Sequence, residues 1–388
     1  MRILHVIPSY YPAVNYGGPI YAVHQLCAAQ AGLGFEVDVF TTNRNGSGVS
    51  EVPTGIPVKI DGVNVYYFSC LWHLRFWYYS YQMSKAFKRQ ARSYDIVHIH
   101  SIFLWPTLGA AYYAKKYNIP YCISPRGSLV DGLIRKKSRF RKLIYLALFE
   151  KRSLRRAKFV HATSELESTE IRLLNIGIKN IEVVPNGINL SEYDLPNSTV
   201  HCGVSYILYL GRISWKKRID LLLMAMPYIN KQFELVIAGN DEEGELLKLT
   251  NVLKELQIEN RVHFVGFIEG LKKVELIKNS SLLVLPSENE NFGNVILEAW
   301  ACRKPVAISK HVGLAEWVEK YCAGILISSK PEEMAAEINA LLADSLLLKN
   351  LGDSGYSLAN SNFQWSTIAK RLCALYQVGA VTRRNIDN

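Results

Sequence analysis

No stretch of this 388-residue sequence is apolar enough to cross a membrane, since a spanning helix needs ~20 predominantly apolar residues. The opening MRILHVIPSYYP has the pattern of a strand and not that of a cleaved leader, so a cytoplasmic protein is expected. Cysteine occurs seven times, with no CxxC and no Cys/His cluster of zinc spacing. That leaves reduced core thiols rather than a disulfide framework or a structural zinc site. No GxGxxG follows an apolar run and no GxxxxGK[ST] occurs, which counts against dinucleotide and P-loop chemistry. A formal net charge of +11 favours anionic partners. Nucleic acid is not expected among them, because no helix-turn-helix, zinc finger, RNP motif or basic-aromatic strand array accompanies the charge.

What the sequence does hold is a repeated apolar rhythm. RILHVI, EVDVF, DIVHIH, YCIS and KFVHA, then YILYLG, ELVIAG, VHFVGF, SLLVLP and PVAIS, are short buried-strand patterns separated by helical ones. Examples of the latter are KRIDLLLMAMPYI and ELLKLTNVLKELQ. This alternation predicts parallel sheets covered by helices, and the length predicts more than one core. The reading is two doubly wound α/β domains, 1–185 and 186–362, with a hinge near Pro185–Asn189. A last helix over 363–388 is free to pack back across the first domain. Ligands of open parallel sheets bind beyond the carboxyl ends of the strands, so the chemistry belongs in the loops there and in a cleft between the domains.

Three such loops stand out. Gly17-Gly18 follows the first strand and precedes a helical pattern, where backbone N–H groups approach a phosphate closely; a plain tight turn is the alternative. YLGRISWKKRID places Gly211-Arg212 at a strand end and Lys217 at the next helix start. Cations there oppose the helix dipole unless an anion is present, and a guanidinium fork beside a point charge suits a pyrophosphate. SENENFGNVILEAW sets Glu290 in a loop and Glu298 inside a helix expected from about Phe292. Ionised carboxylates only accept hydrogen bonds, so two of them around a helix start fit a ligand with hydroxyls at both ends and phosphates between. That is a nucleotide sugar. The bland reading makes them a loop acid and a surface helix acid, yet Glu298 lies among Ile296, Leu297, Ala299, Trp300 and Ala301.

Together the E-x7-E of Glu290 and Glu298, the GR…K of Gly211, Arg212 and Lys217, the Gly17-Gly18 loop and VVPNGIN resemble the family 4 glycosyltransferases of the GT-B fold, over nearly the whole chain. The resemblance implies two Rossmann-like domains facing a central cleft and a retaining transfer from an NDP-sugar, with UDP-hexose the first expectation. It makes Arg212 and Lys217 the diphosphate clamp, with Glu290 on the transferred sugar and Glu298 on the ribose. Phe292, Gly293, Asn294 and Val295 bring backbone N–H groups to sugar and phosphate. Gly266, Phe267 and Ile268 border the base, and Gly17 and Gly18 approach the diphosphate from the other domain. Arg212, Lys217 and Glu290 are the expected catalytic residues. No DxD occurs and the basic pair takes the place of a divalent ion, so neither metal nor cofactor is expected.

One position departs from the family pattern. Where many relatives carry His, this chain has Arg126 in YCISPRGSL; it either binds a phosphate of acceptor or donor, or anchors its loop by pairing with an internal carboxylate. His98 and His100 end the DIVHIH strand on one face, and His100 is the one placed to reach the cleft. On the acceptor side, RKKSRFRKLIYLALFEKRSLRRAK (135–158) holds eleven Lys and Arg, and LWHLRFWYYSYQM (71–83) concentrates aromatics. Both suit a peripheral position on an anionic inner leaflet and a lipid-linked saccharide acceptor. The alternatives are a small soluble acceptor and a catalytically silent nucleotide-sugar-binding protein.

Overall fold

The computed structural model describes residues 1–13, 18–46, 48–71, 77–129, 145–194, 204–241 and 244–378. Gly17, residues 72–76 of the aromatic stretch and residues 135–144 of the basic stretch lie outside them. The chain forms two compact units, Met1–Gly187 completed by Trp365–Asn388, and Ile188–Gln364.

The first unit is built on β1 (Arg2–Ser9), β2 (Glu36–Thr42), β3 (Pro57–Ile60), β4 (Val63–Phe68), β5 (Ile96–His100), β6 (Tyr121–Ser124), β7 (Val160–Ala162) and β8 (Ile181–Val183). Their order across the sheet is β8-β7-β6-β5-β1-β2-β4-β3. Every pairing is parallel except the β3–β4 hairpin at one edge. Strands buried on both faces read as continuous apolar runs, and alternation sorts their side chains. Leu4, Val6, Val97 and Ile99 pack with Phe87 and Ala110, on the side of α2 (Tyr81–Gln90) and α3 (Trp105–Lys116). Ile3, Ile7 and Ile96 pack with Val23 and Leu26 of α1 (Gly18–Gly32) and with the last helix. Alternation puts His5, His98 and His100 on that second face.

The second unit has β9 (Ser205–Leu210), β10 (Phe233–Ala238), β11 (Val262–Gly266), β12 (Leu282–Leu285), β13 (Val306–Ser309) and β14 (Ile325–Ile327). The strand order β11-β10-β9-β12-β13-β14 reverses direction between β9 and β12. That reversal is the switch point at which open α/β sheets bind ligands. One core cluster fills this unit, with Leu222, Ile237, Trp300 and Phe363 among its buried members.

The last helix, Trp365–Gln377, buries Trp365, Ile368, Ala369, Leu372, Cys373 and Tyr376, an i, i+3, i+4 stripe of the kind that docks a helix on a sheet. It belongs to the first unit. Arg371 donates to the Val183 carbonyl at 2.7 Å and Lys158 to the Tyr376 carbonyl at 2.7 Å. A Cβ on Gly187 would stand 2.6 Å from the Trp365 ring, so only glycine lets the chain leave the first unit beneath the residue on which it returns.

Candidate functional site

In the second unit the loops after β9 and β12 carry the expected side chains, and those strands are neighbours. Gly211 leaves β9 at φ +148. A Cβ on Gly239, at the end of β10, would meet the Gly211 carbonyl oxygen at 1.8 Å, so the two loops touch backbone to backbone and neither end can shift. The sequence reading passed over Gly239, whose only signal is a glycine closing a strand. Arg212 is exposed, and its carbonyl accepts from the buried Tyr209 hydroxyl at 2.9 Å. Lys217 ends a single 3-10 turn, Trp215–Lys217. Arg218 follows at φ +51, and the α-helix starts only at Ile219.

The loop after β12 is sewn to its surroundings by backbone bonds. Glu288 N donates to the Lys216 carbonyl at 2.8 Å, Glu290 N to that of His311 at 3.1 Å, and Gly313 N to that of Glu290 at 2.9 Å. Lys217 Nζ contacts the Glu290 carboxylate, so the GR…K loop meets the E-x7-E loop directly. Burial, with Arg212 and Lys216 nearby, pushes the Lys217 ammonium down to about 7; the Glu290 carboxylate opposes that shift. The following helix starts at Asn294 and not at Phe292. Gly293 holds φ +93, and a Cβ there would press on Ile296 at 2.8 Å. The Phe292 ring is buried in the core near Phe363, which leaves only its backbone for a ligand.

Glu298, four residues into that helix, has a partner the sequence did not reveal. Lys273 Nζ, on the helix Gly270–Asn279, lies 3.1 Å from its Oε2. This explains how a carboxylate sits among apolar neighbours. Both acids are therefore countered by lysines on separate elements, and each carboxylate keeps lone pairs for further donors. Gly266, at φ +71, and Phe267 are exposed, while Ile268 packs partly against the core.

The remaining candidates fall in the first unit. Gly18 opens α1 and is exposed. His100 is fully buried and belongs to a hydrogen-bonded series with one consistent direction. Arg126 Nε donates to His100 Nδ1 at 3.4 Å. His100 Nε2 then donates to His5 Nδ1 at 2.9 Å, and His5 Nε2 to Gln30 Oε1 at 2.7 Å. Gln30 Nε2 donates to the Tyr376 hydroxyl at 3.5 Å, which donates to His98 Nδ1 at 2.6 Å. His98 Nε2 donates to His161 Nδ1 at 3.3 Å, and His161 Nε2 ends the series on the Val184 carbonyl at 2.8 Å.

Each donor role follows from the one before it, so all four rings are neutral Nε2–H tautomers. Burial, with neighbouring positive charge, lowers His5 to about 4 and His161 to about 3, and drives His98 and His100 lower than their ordinary value too. His5, His98 and His100 bring ring nitrogens within 4.8 Å of one another. An ion there would displace hydrogen bonds that already occupy every one of those nitrogens.

Arg126 does not anchor its loop through a carboxylate. Its Nη1 donates to Asn186 Oδ1 at 2.8 Å, while the nearby Glu167 accepts from Gly127 N and from Thr163 N and Oγ1.

Two family descriptions match the chain. "Glycosyl transferase 4-like domain" covers residues 17–187 and "Glycosyl transferases group 1" covers 200–358. An uncharacterised glycosyltransferase of Methanocaldococcus jannaschii is 27% identical, over 97% of this chain and 98% of its own. A sucrose-phosphate synthase from Thermosynechococcus elongatus superposes with TM-score 0.78 at 22% identity, covering 98% of this chain and 99% of that one. Anabaena HepE, solved in complex with UDP and glucose, gives TM-score 0.75 at 20% identity, with 97% and 100% covered. Two Rossmann-like units, matched one by each family description, make this chain a GT-B glycosyltransferase of the family 4 type.

Proposed function

We propose that the protein is a retaining hexosyltransferase using a UDP-sugar donor and a membrane-associated, lipid-linked saccharide acceptor in exopolysaccharide or lipopolysaccharide assembly. The meeting of Lys217, Arg212 and Glu290 at the switch point of the second sheet supports the donor half. Negative charge develops on the leaving diphosphate as the glycosidic bond breaks, and positive charge placed at that end of the donor stabilises it. In this reading the phosphate displaces Glu290 as the partner of Lys217. Glu290 turns to the hydroxyls of the transferred sugar, and Glu298 accepts from the ribose. The backbone of Phe292–Val295 donates to sugar and phosphate, and the Gly266–Ile268 loop borders the base. The acceptor attacks on the face the diphosphate leaves, with a donor phosphate oxygen taking its proton, so no enzyme nucleophile is required. UDP is favoured because Anabaena HepE was solved with it.

For the membrane side, desolvation first, and then the nearby charges of Arg152 and Arg156, lower the pKa of Lys115 of α3. Tyr112 and Phe149 are exposed beside these basic segments. Each cation near an anionic leaflet contributes about 1 kcal/mol. No helix among the described residues is long and apolar enough to span a bilayer. Thermal shift against UDP, GDP, ADP and CMP tests the donor: a ligand at 100 times its dissociation constant adds about 2.7 kcal/mol, and no response to any nucleotide would sink the donor reading. Product stereochemistry read by NMR tests retention, and transfer in the presence of EDTA tests metal independence. Sedimentation with anionic vesicles at low salt tests the membrane.

A further inference from the structure

Among the described residues, Arg126 is a cation that no carboxylate bonds directly. It makes no ion pair among the described residues, and its contacts are neutral: one ring nitrogen of His100 and the amide oxygen of Asn186. A guanidinium has five N–H donors, so part of its fork stays unspoken for, and the side chain is only partly buried. Partial burial disfavours the charged form, as the lowered Arg126 pKa reflects. The protein nevertheless holds it in place with care. Arg126 and Gly127 both adopt left-handed backbone, φ +53 and +76, and Glu167 pins Gly127 N at 2.7 Å. The directed series of neutral rings behind it fixes His100 as an acceptor, because its other nitrogen must donate to His5. Protonating any of those histidines would put a second positive charge beside Arg126, and burial disfavours that further. The Glu167 carboxylate supports the Arg126 charge from nearby, but it accepts from Gly127 and Thr163 and not from the guanidinium, so a pre-positioned fork at the carboxyl end of β6 is open to an anion.

We propose that Arg126 binds an oxyanion, a phosphate or carboxylate carried by the acceptor, and that His100, His5 and Tyr376 are positioning residues that keep its fork aimed. This rests on the donor reading above, in which Arg212 and Lys217 of the other unit already serve the donor diphosphate. Arg126 is then left for the second substrate.

The test is long-range 1H–15N NMR of the imidazole and arginine side chains in the full-length protein saturated with UDP, titrated with inorganic phosphate and separately with acetate. The expected result is a saturable shift of the Arg126 Nε–H and His100 Nδ1 signals with one or both probes. That shift is lost in Arg126→Gln, while UDP affinity stays within twofold of wild type. Arg126→Lys keeps the charge without the fork, so it should bind more weakly than wild type. The proposal is overturned if neither anion moves these signals in the wild-type protein, or if the His100 shift survives Arg126→Gln. It is also overturned if UDP affinity falls with that variant, which would give Arg126 to the donor. Should the variants fail to fold, the wild-type tautomers decide the positioning role: His5, His98, His100 and His161 all as Nε2–H support it, and an Nδ1–H at His100 overturns it. If UDP itself does not bind, the donor reading fails, and the same titration run without UDP still decides whether Arg126 is an anion seat.

Discussion

In the first unit the histidines on one face of the sheet are neutral and joined in one hydrogen-bonded series, from His100 through His5, Gln30 and Tyr376 to His98 and His161. In the second, acids are paired with lysines in the loops and helices that follow the strands, Lys217 with Glu290 and Lys273 with Glu298. Apart from the β3–β4 hairpin both sheets are parallel, so the contrast arises from the side chains and not from the architecture. Neutral rings satisfied internally make a rigid frame that responds to protons. Pairs at the switch point are provisional, because a ligand with phosphates and hydroxyls can take the place of each partner.

Acid should break the comparison most visibly. The unfolded histidines take up protons near pH 6.5, which the folded rings refuse until about pH 4 at His5 and about pH 3 at His161. Stability is therefore intact above pH 6.5 and falls as the pH drops toward 4, by about 1.4 kcal/mol per pH unit for each such histidine. Hydrogen exchange corrected for intrinsic rates should show β1 and β5 losing protection at pH 4.5 while β9 and β12 keep theirs. Next in size, Lys217→Ala should lower donor turnover by roughly 10²–10³-fold, the range for removing one preorganised charge-stabilising donor. The fold should survive, as read by circular dichroism and UDP-sugar consumption.

A smaller effect belongs to the first unit. Tyr376→Phe leaves His98 Nδ1 without a donor and Gln30 without an acceptor, which should cost about 1–3 kcal/mol in denaturant melts and leave UDP affinity unchanged. Smallest of all is a proton. With Lys217 held down to about 7, the amine is mostly neutral at pH 8, and a bound diphosphate would recharge it. UDP binding at that pH should take up a fraction of a proton, visible as a dependence of calorimetric enthalpy on buffer and absent in Lys217→Arg.

The alternation of apolar runs carried the fold class, because parallel strands buried on both faces leave an unmistakable record. It missed β3, β4, β8 and β14: β3, β8 and β14 are edge strands with incomplete burial, and β4 alternates buried and half-buried positions over much of its length. At the site, the loops of Arg212, Lys217 and Glu290 were legible since each side chain follows a strand end. Lys273 was not. It sits in a separate helix, and nothing local distinguishes it from Lys272. The histidine series was legible only at His98 and His100. His5 joins them because β1 pairs in register with β5, His5 opposite His98. Tyr376 arrives from 278 positions away. Contacts of that kind are set by topology, which local spacing does not encode.

The return of the chain at Trp365 has a consequence for synthesis. Domains fold as units while the ribosome is still working, beginning from the amino end. Here the first unit lacks Tyr376, Arg371 and the stripe beneath them until the whole of Ile188–Gln364 has been made. The second unit can reach its native state while the first still has an open sheet face and an incomplete hydrogen-bonded series. The half that is translated first is finished last.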